Sequence, residues 1–107
     1  LLLRLRQVLG NLLANALDAL TEKGPPRKLW LSAESTAEGV NLYIRDNGPG
    51  IPESIRDRIF FPLVSGREGG TGLGLTLAQT FVQQHHGVIE CDSVPGRTDF
   101  KILIPLP

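Results

Sequence analysis

Val40-Asn41-Leu42-Tyr43-Ile44-Arg45-Asp46-Asn47-Gly48-Pro49-Gly50-Ile51-Pro52 is the stretch on which the fold turns. Its first half alternates, with Val40, Leu42 and Ile44 on one side, which is the two-residue period of a half-buried strand. Its second half carries Asn-Gly and Pro-Gly, both turn dipeptides. Turn chemistry accounts for everything except Asp46, which stands where the inward set gives out. A fixed carboxylate beside the apolar wall of Ile44 and Ile51 could accept a hydrogen bond from an exocyclic amine and so recognise adenine. A plain turn is the competing reading, since such dipeptides are common.

Working outward, residues 28–34 alternate in the same way, with Leu29, Leu31 and Ala33 as the inward set, and join the first strand through Glu38-Gly39. Upstream, residues 3–22 read as a helix: Leu5, Leu9, Leu12, Leu13, Ala16, Leu17 and Leu20 recur at helical spacing, and Gly24, Pro25 and Pro26 stop it. Downstream, 53–60 suits a short helix with Pro52 at its start. Residues 74–86 read as a second amphipathic helix, with Leu75, Ala78, Phe81 and Val82 inward and Gly87 as its stop. Strands over 88–93 and 98–104 close the chain around Pro95-Gly96. This order predicts an α+β two-layer sandwich, a mixed sheet covered on one face by helices.

The 107 residues suffice for one compact domain and are too few for two. Lys and Arg together number 11, as do Asp and Glu, so the net charge is zero. That argues against wholesale binding to nucleic acid or an anionic membrane, either of which wants a basic excess. No apolar run approaches the roughly 18 residues of a membrane span, and no signal peptide is visible. Cys91 is the single cysteine, which excludes an internal disulfide and suits a reducing cytoplasm. A chain that begins at Leu1 without Met is expected to be a piece of something larger.

Two further constellations join Asp46. Asn11, Asn15 and Asp18 lie within about 60° of one another on the first helix, on the side expected to lie opposite the leucines. Asn and Asp are poorer helix formers than the Lys, Glu and Arg of an ordinary solvated face. Amide and carboxylate oxygens are hard ligands suited to Mg²⁺ that bridges phosphates, although a solvated face remains open as a reading. The other constellation is glycine. Seven of the 12 glycines (Gly48, Gly50, Gly66, Gly69, Gly70, Gly72 and Gly74) crowd between positions 48 and 74. Gly69-Gly70-Thr71-Gly72-Leu73-Gly74-Leu75 leads into a helix, so its backbone N–H groups could receive phosphate. It lacks the Gly-Lys-Ser/Thr ending of a Walker loop and follows no strand, so neither that loop nor a dinucleotide fold fits; a plain linker is the alternative.

These residues, in this order, resemble the catalytic domain of sensor histidine kinases, of the GHKL superfamily with its Bergerat ATP-binding fold. Asn11-Leu-Leu-Ala-Asn15-Ala-Leu-Asp18 looks like the family's N box and Asp46-Asn-Gly-Pro-Gly50 like its G1 box. Phe60-Phe61-Pro62 resembles the F box, and Gly70-Thr-Gly-Leu-Gly74-Leu the G2 box. The wording from Phe61 to Gly74, with a short lid, further resembles nitrogen-regulatory sensor kinases of the NtrB type. The resemblance spans residues 1–107 as one ATP-binding domain. It implies ATP and Mg²⁺ as ligands, with Asn15 on the metal and Asn11 supporting metal and phosphates. It also implies Asp46 on the adenine amine, and Gly48, Gly50 and Ile51 beside the nucleotide. Residues 62–74 would form the ATP lid, with Arg67 and Thr71 near the phosphates and Gly70, Gly72, Leu73 and Gly74 around them. Phe60 and Phe61 would anchor its start. Asp18 transfers weakly, because that position varies in chemistry among relatives.

Two departures from the family pattern bear on function. The strand that usually precedes the N box is missing, which predicts an uncovered sheet edge. The phosphoacceptor histidine and its helical hairpin are absent, and His85 and His86 before Gly87 read as a helix terminus. The resemblance therefore implies a kinase half that hands the γ-phosphoryl to a histidine on a separate dimerisation domain. Its implied partners are that domain, a response regulator and a PII-type signalling protein, with this piece monomeric and cytoplasmic and making no membrane contact. Two alternatives stand beside it. One is a GHKL ATPase, disfavoured because the water-activating Glu of those relatives is replaced by Asn11, an amide that takes no proton. The other is a nucleotide-sensing docking module that transfers nothing.

Overall fold

The computed structural model describes residues 2–56 and 74–105. Helix α1 spans Leu2–Thr21 and helix α2 spans Gly74–Gln84; strands β1 (Leu29–Ser35), β2 (Gly39–Asp46), β3 (Val88–Val94) and β4 (Arg97–Pro105) form one sheet in the order β1-β2-β4-β3. Every strand pair is antiparallel among the described residues, which corrects the mixed sheet expected from sequence. Connectivity is the reason for two of the three pairings: β1–β2 and β3–β4 are hairpins, and a tight turn admits only antiparallel neighbours.

Both helices cover one face of this sheet. Val8, Leu12 and Ala16 of α1 meet Ala78, Phe81 and Val82 of α2 over Ile44, Phe100 and Ile102. Leu12, Val82 and Ile102 are wholly enclosed. The buried stripe of α1 runs through Val8, Leu12, Ala16 and Ala19, and the two alanines let the helix lie close to its neighbours. Leu17, expected inward, is 54% exposed, because at 100° per residue it lies about 145° from the centre of that stripe. The same rotation corrects the expected placement of the amides. Asn11 and Asn15 are half-buried on the flank of the core stripe, not opposite it.

The inward set of β1 is also corrected. Register pairs Leu31 with Ile44 and Ala33 with Leu42, so these side chains share the helix-covered face, yet all seven residues of β1 are exposed. The two helices pack chiefly over β2, β3 and β4, and β1 lies at the sheet edge beyond them. Val40 is likewise exposed at the far end of β2.

Residues 53–56 form a turn, in which Ile55 N–H donates to Pro52 O at 3.1 Å; the rest of the short helix expected over 53–60 lies outside the described residues. Helix α2 ends two residues earlier than expected. Its cap has His86 in the left-handed conformation (φ 60°), while Gly87 N–H donates to Val82 O at 2.8 Å and His86 N–H to Gln83 O at 3.0 Å. That is a Schellman arrangement in which His86, not Gly87, takes the left-handed position. Among the described residues no helix is long and apolar enough to cross a membrane.

Candidate functional site

The alternation of β2 turns Asp46 toward the core at the strand's last position, where only 3% of it is exposed. A carboxylate buried this far must be hydrogen-bonded. Gly48 N–H donates to its Oδ1 at 2.9 Å, folding the chain back immediately after the strand. Asn47 then ties the turn to the chain ahead of β1: its Oδ1 accepts from Lys28 N–H at 2.7 Å, and its Nδ2 donates to Pro26 O at 3.1 Å. Two residues on, Ile51 N–H donates to Ser93 Oγ at 2.8 Å. Arg56 closes the loop from beyond, donating through Nη2 to Ile51 O at 3.0 Å.

This turn packs between α1 and the β3–β4 hairpin. A side-chain carbon on Gly48 would stand 3.1 Å from Ala19 Cβ, and one on Gly50 would stand 2.6 Å from Val94 O. Gly50 also has φ +89°, a conformation that L side chains rarely adopt. Both glycines are therefore held against protein on at least one side. Ala19 lies one turn beyond Asn15 on the same helix face, and Asn15 one turn beyond Asn11. The contact at Gly48 thus brings the amide stripe and the Asp46 turn to the same end of the molecule. Asp18 points away and is exposed; its backbone carbonyl accepts from Thr21 Oγ1.

Ile51 is half-buried against the core, as its place in the apolar wall requires. Of the third constellation Gly74 and Leu75 are described, as the first two residues of α2, with Leu75 packed against the core. Arg67, Gly70, Thr71, Gly72 and Leu73, the rest of residues 62–73 of the expected lid, and Phe60 and Phe61 lie outside the described residues.

Two residues that sequence reasoning missed belong with Asp46. Apart from it, Ser93 and Thr98 are the buried polar residues among those described, both at 4% exposure. Thr98 is the register partner of Asp46 on β4 and of Ser93 on β3, and the two hydroxyls are 3.0 Å apart. The signal was present: Thr98 occupies the inward phase that continues through Phe100 and Ile102, where an apolar residue is the default.

Two residues further in along β3, Cys91 registers the charge of this end. Burial, with the carboxylates of Asp92, Asp99 and Asp46 nearby, pushes its thiol up from 9.0 to about 12, against a smaller opposing pull from Arg56. The thiol is accordingly neutral and unreactive at physiological pH. On the other face of the sheet the polar residues pair with one another: Arg45 with Asp99, and Arg97 with Asp99 and Asp92.

The donor set suits a purine with an amine and a phosphate-bound cation. Asp46 is an acceptor at a buried strand end with an apolar wall beside it. Asn11 and Asn15 offer amide oxygens, which suit a hard divalent ion that keeps several waters. Among the described residues no cluster of three or more His, Cys, Asp or Glu forms a metal cage.

Residues 2–107 match the family model for histidine kinase-, DNA gyrase B-, and HSP90-like ATPases. The sensory histidine kinase/phosphatase NtrB of Escherichia coli O157:H7 is 42% identical over 96% of this chain and 32% of its own length. The C4-dicarboxylate transport sensor protein DctB of Pseudomonas aeruginosa is 53% identical over a shorter stretch, 70% of this chain and 12% of its own. The chain thus spans about a third of the length of the NtrB relative. Among solved structures, the catalytic domain of histidine kinase ThkA superposes with a TM-score of 0.80 at 32% identity, covering 95% of this chain and 66% of that one.

Proposed function

On the premise that this chain belongs to the family of histidine kinase-, DNA gyrase B-, and HSP90-like ATPases, and is the ATP-binding catalytic domain of a protein-histidine kinase of two-component signalling, we propose that it binds Mg-ATP and donates the γ-phosphoryl to a histidine on a separate dimerisation domain. The observation that carries this is Asp46: a buried carboxylate, turned inward at a strand end, beside a loop that packs on the helix bearing Asn11 and Asn15.

Asp46 accepts the hydrogen bond of the adenine amine, and the Thr98 hydroxyl beside it offers a second polar contact to the base. Ile44 and Ile51 supply an apolar wall. Asn15 would hold Mg²⁺ with support from Asn11, and the ion would supply charge neutralisation at the phosphates. Gly70, Thr71, Gly72, Leu73 and Gly74 offer backbone N–H groups to the phosphates, with Arg67 adding positive charge. Phosphoryl transfer is mostly positioning and charge neutralisation, so no general base is required of this chain. A neutral imidazole is already a nucleophile. Asn11 occupies the place from which a Glu would activate water, which favours transfer over hydrolysis.

The likeness to NtrB supports a nitrogen-regulatory kinase working in the cytoplasm, with a response regulator downstream and a PII-type protein acting on it; this domain is monomeric by itself. The decisive experiment mixes the protein with a purified histidine-bearing dimerisation domain and labelled ATP. Label on histidine, dependent on Mg²⁺ and lost in Asn15→Ala, is the expected result. Tight nucleotide binding without label would leave a docking module, and steady phosphate release well above an Asn11→Ala control would make the domain an ATPase.

A further inference from the structure

We infer that Ser93 is a positioning residue for base recognition: its buried hydroxyl holds the Gly50–Ile51 loop and sets the direction of the Thr98 hydroxyl beside Asp46. This deepens the ATP-binding reading above and rests on it.

Loop, hairpin and strand end meet at this one oxygen. Ser93 Oγ accepts from Ile51 N–H at 2.8 Å and shares a hydrogen bond with Thr98 Oγ1 at 3.0 Å. Ser93 and Thr98 are each 4% exposed, so water cannot readily replace either partner. Gly50 is pressed against the same hairpin, where a side-chain carbon would lie 2.6 Å from Val94 O and 3.3 Å from Ser93 Oγ. The loop is thus fixed by contact at Gly50 and by a directed bond at Ile51.

Either hydroxyl could donate in the Ser93–Thr98 bond, and we take Ser93 as the donor. Ser93 has one proton and two acceptor lone pairs, and Ile51 N–H occupies one of those pairs. Donating its proton to Thr98 Oγ1 satisfies Ser93 with partners already in place. The Thr98 proton is then free to point away from Ser93, toward the strand end it shares with Asp46. Asp46 accepts and Thr98 donates. That polarity matches the amine and ring nitrogen of adenine and opposes the carbonyl and ring N–H of guanine. Without Ser93 the Thr98 hydroxyl rotates freely, and Ile51 N–H loses its acceptor.

The test is Ser93→Ala in the intact protein, titrated calorimetrically with ATP and GTP in the presence of Mg²⁺, beside Ser93→Thr and Asp46→Asn. Exchange of the Ile51 amide is followed by mass spectrometry. Ser93→Ala is expected to weaken ATP about tenfold more than GTP, which is the scale of one lost buried hydrogen bond, and to expose the Ile51 amide. Ser93→Thr, which keeps the hydroxyl, is expected to restore both. A merely structural serine would lower affinity for both nucleotides together and leave their ratio alone. If the alanine variant does not melt cooperatively, Ser93→Cys reads the same ratio, because a thiol is a weak acceptor of similar size. A parental ATP/GTP ratio in Ser93→Ala or Ser93→Cys, with the ratio lost in Asp46→Asn, overturns this inference and leaves the ATP site standing. No binding of ATP by the parent overturns both.

Discussion

Two neighbouring pairs on β2 and β4 have opposite fates. Arg45 faces Asp99 across the ladder, and the next pair is Asp46 with Thr98. The first pair is an ion pair on the open face, its Arg side chain 51% exposed. The second is buried under the helix layer, its carboxylate held by Gly48 N–H and its hydroxyl by Ser93. One step along a strand reverses the face, so adjacent polar residues with similar inventories meet different media. Exposed pairs contribute little to stability, about 0–1 kcal/mol, because water competes for both partners. A buried polar group costs free energy unless it is bonded, so its presence at a strand end points to recognition, although structural roles occupy such positions too.

The contrast breaks most visibly in the core. Ile102→Ala, on the inward face, is expected to cost about 2–5 kcal/mol in denaturant unfolding, while its outward neighbour Lys101→Ala stays within about 0.5 kcal/mol. Equal losses would mean that the two faces are not distinguished as described. Next come two glycines with the same φ of +89° and different surroundings: Gly50 lies against Val94, and Gly96 has nothing within 4 Å. Gly50→Ala should lose about 2–3 kcal/mol and Gly96→Ala about 1 kcal/mol, by thermal melting.

A smaller effect separates the two carboxylates. Asp46→Asn is expected to weaken ATP about tenfold and narrow its preference over GTP, whereas Asp99→Asn leaves both affinities within about twofold. Matching titration curves for the two variants would remove Asp46 from the site. Smallest at neutral pH is Cys91. Its thiol keeps its proton to about 12 when folded and loses it near 9.0 when unfolded. Below 9 it contributes no pH dependence. Between these values the folded chain binds more protons, so stability falls as pH rises. Cys91→Ala should flatten that alkaline decline, and the native thiol should resist iodoacetamide at pH 8 until the chain is unfolded.

Much of this was legible beforehand. The strand period ending at Asp46, the helical period of α1, the Pro95-Gly96 hairpin and the α+β layering are local patterns, and local patterns are written in consecutive residues. Legibility failed where position depended on neighbours. Leu17 is the member of a leucine series that the helix rotates out of the core, and Leu29 and Leu31 have the strand alternation of buried residues at an edge that neither described helix buries. Thr98 and Ser93 look like ordinary strand residues until the fold places them beside Asp46 and Ile51.

The chain by itself determined which segments become helix and strand, and which carboxylate stands alone where a strand ends. Steric preference and periodicity act over a few residues, so they need no distant partner. Only the tertiary structure decided which apolar faces are covered and which hydroxyls meet that carboxylate. Burial and hydrogen bonding between β3, β4 and the Gly48–Ile51 turn join positions some forty residues apart, and no local rule encodes their meeting.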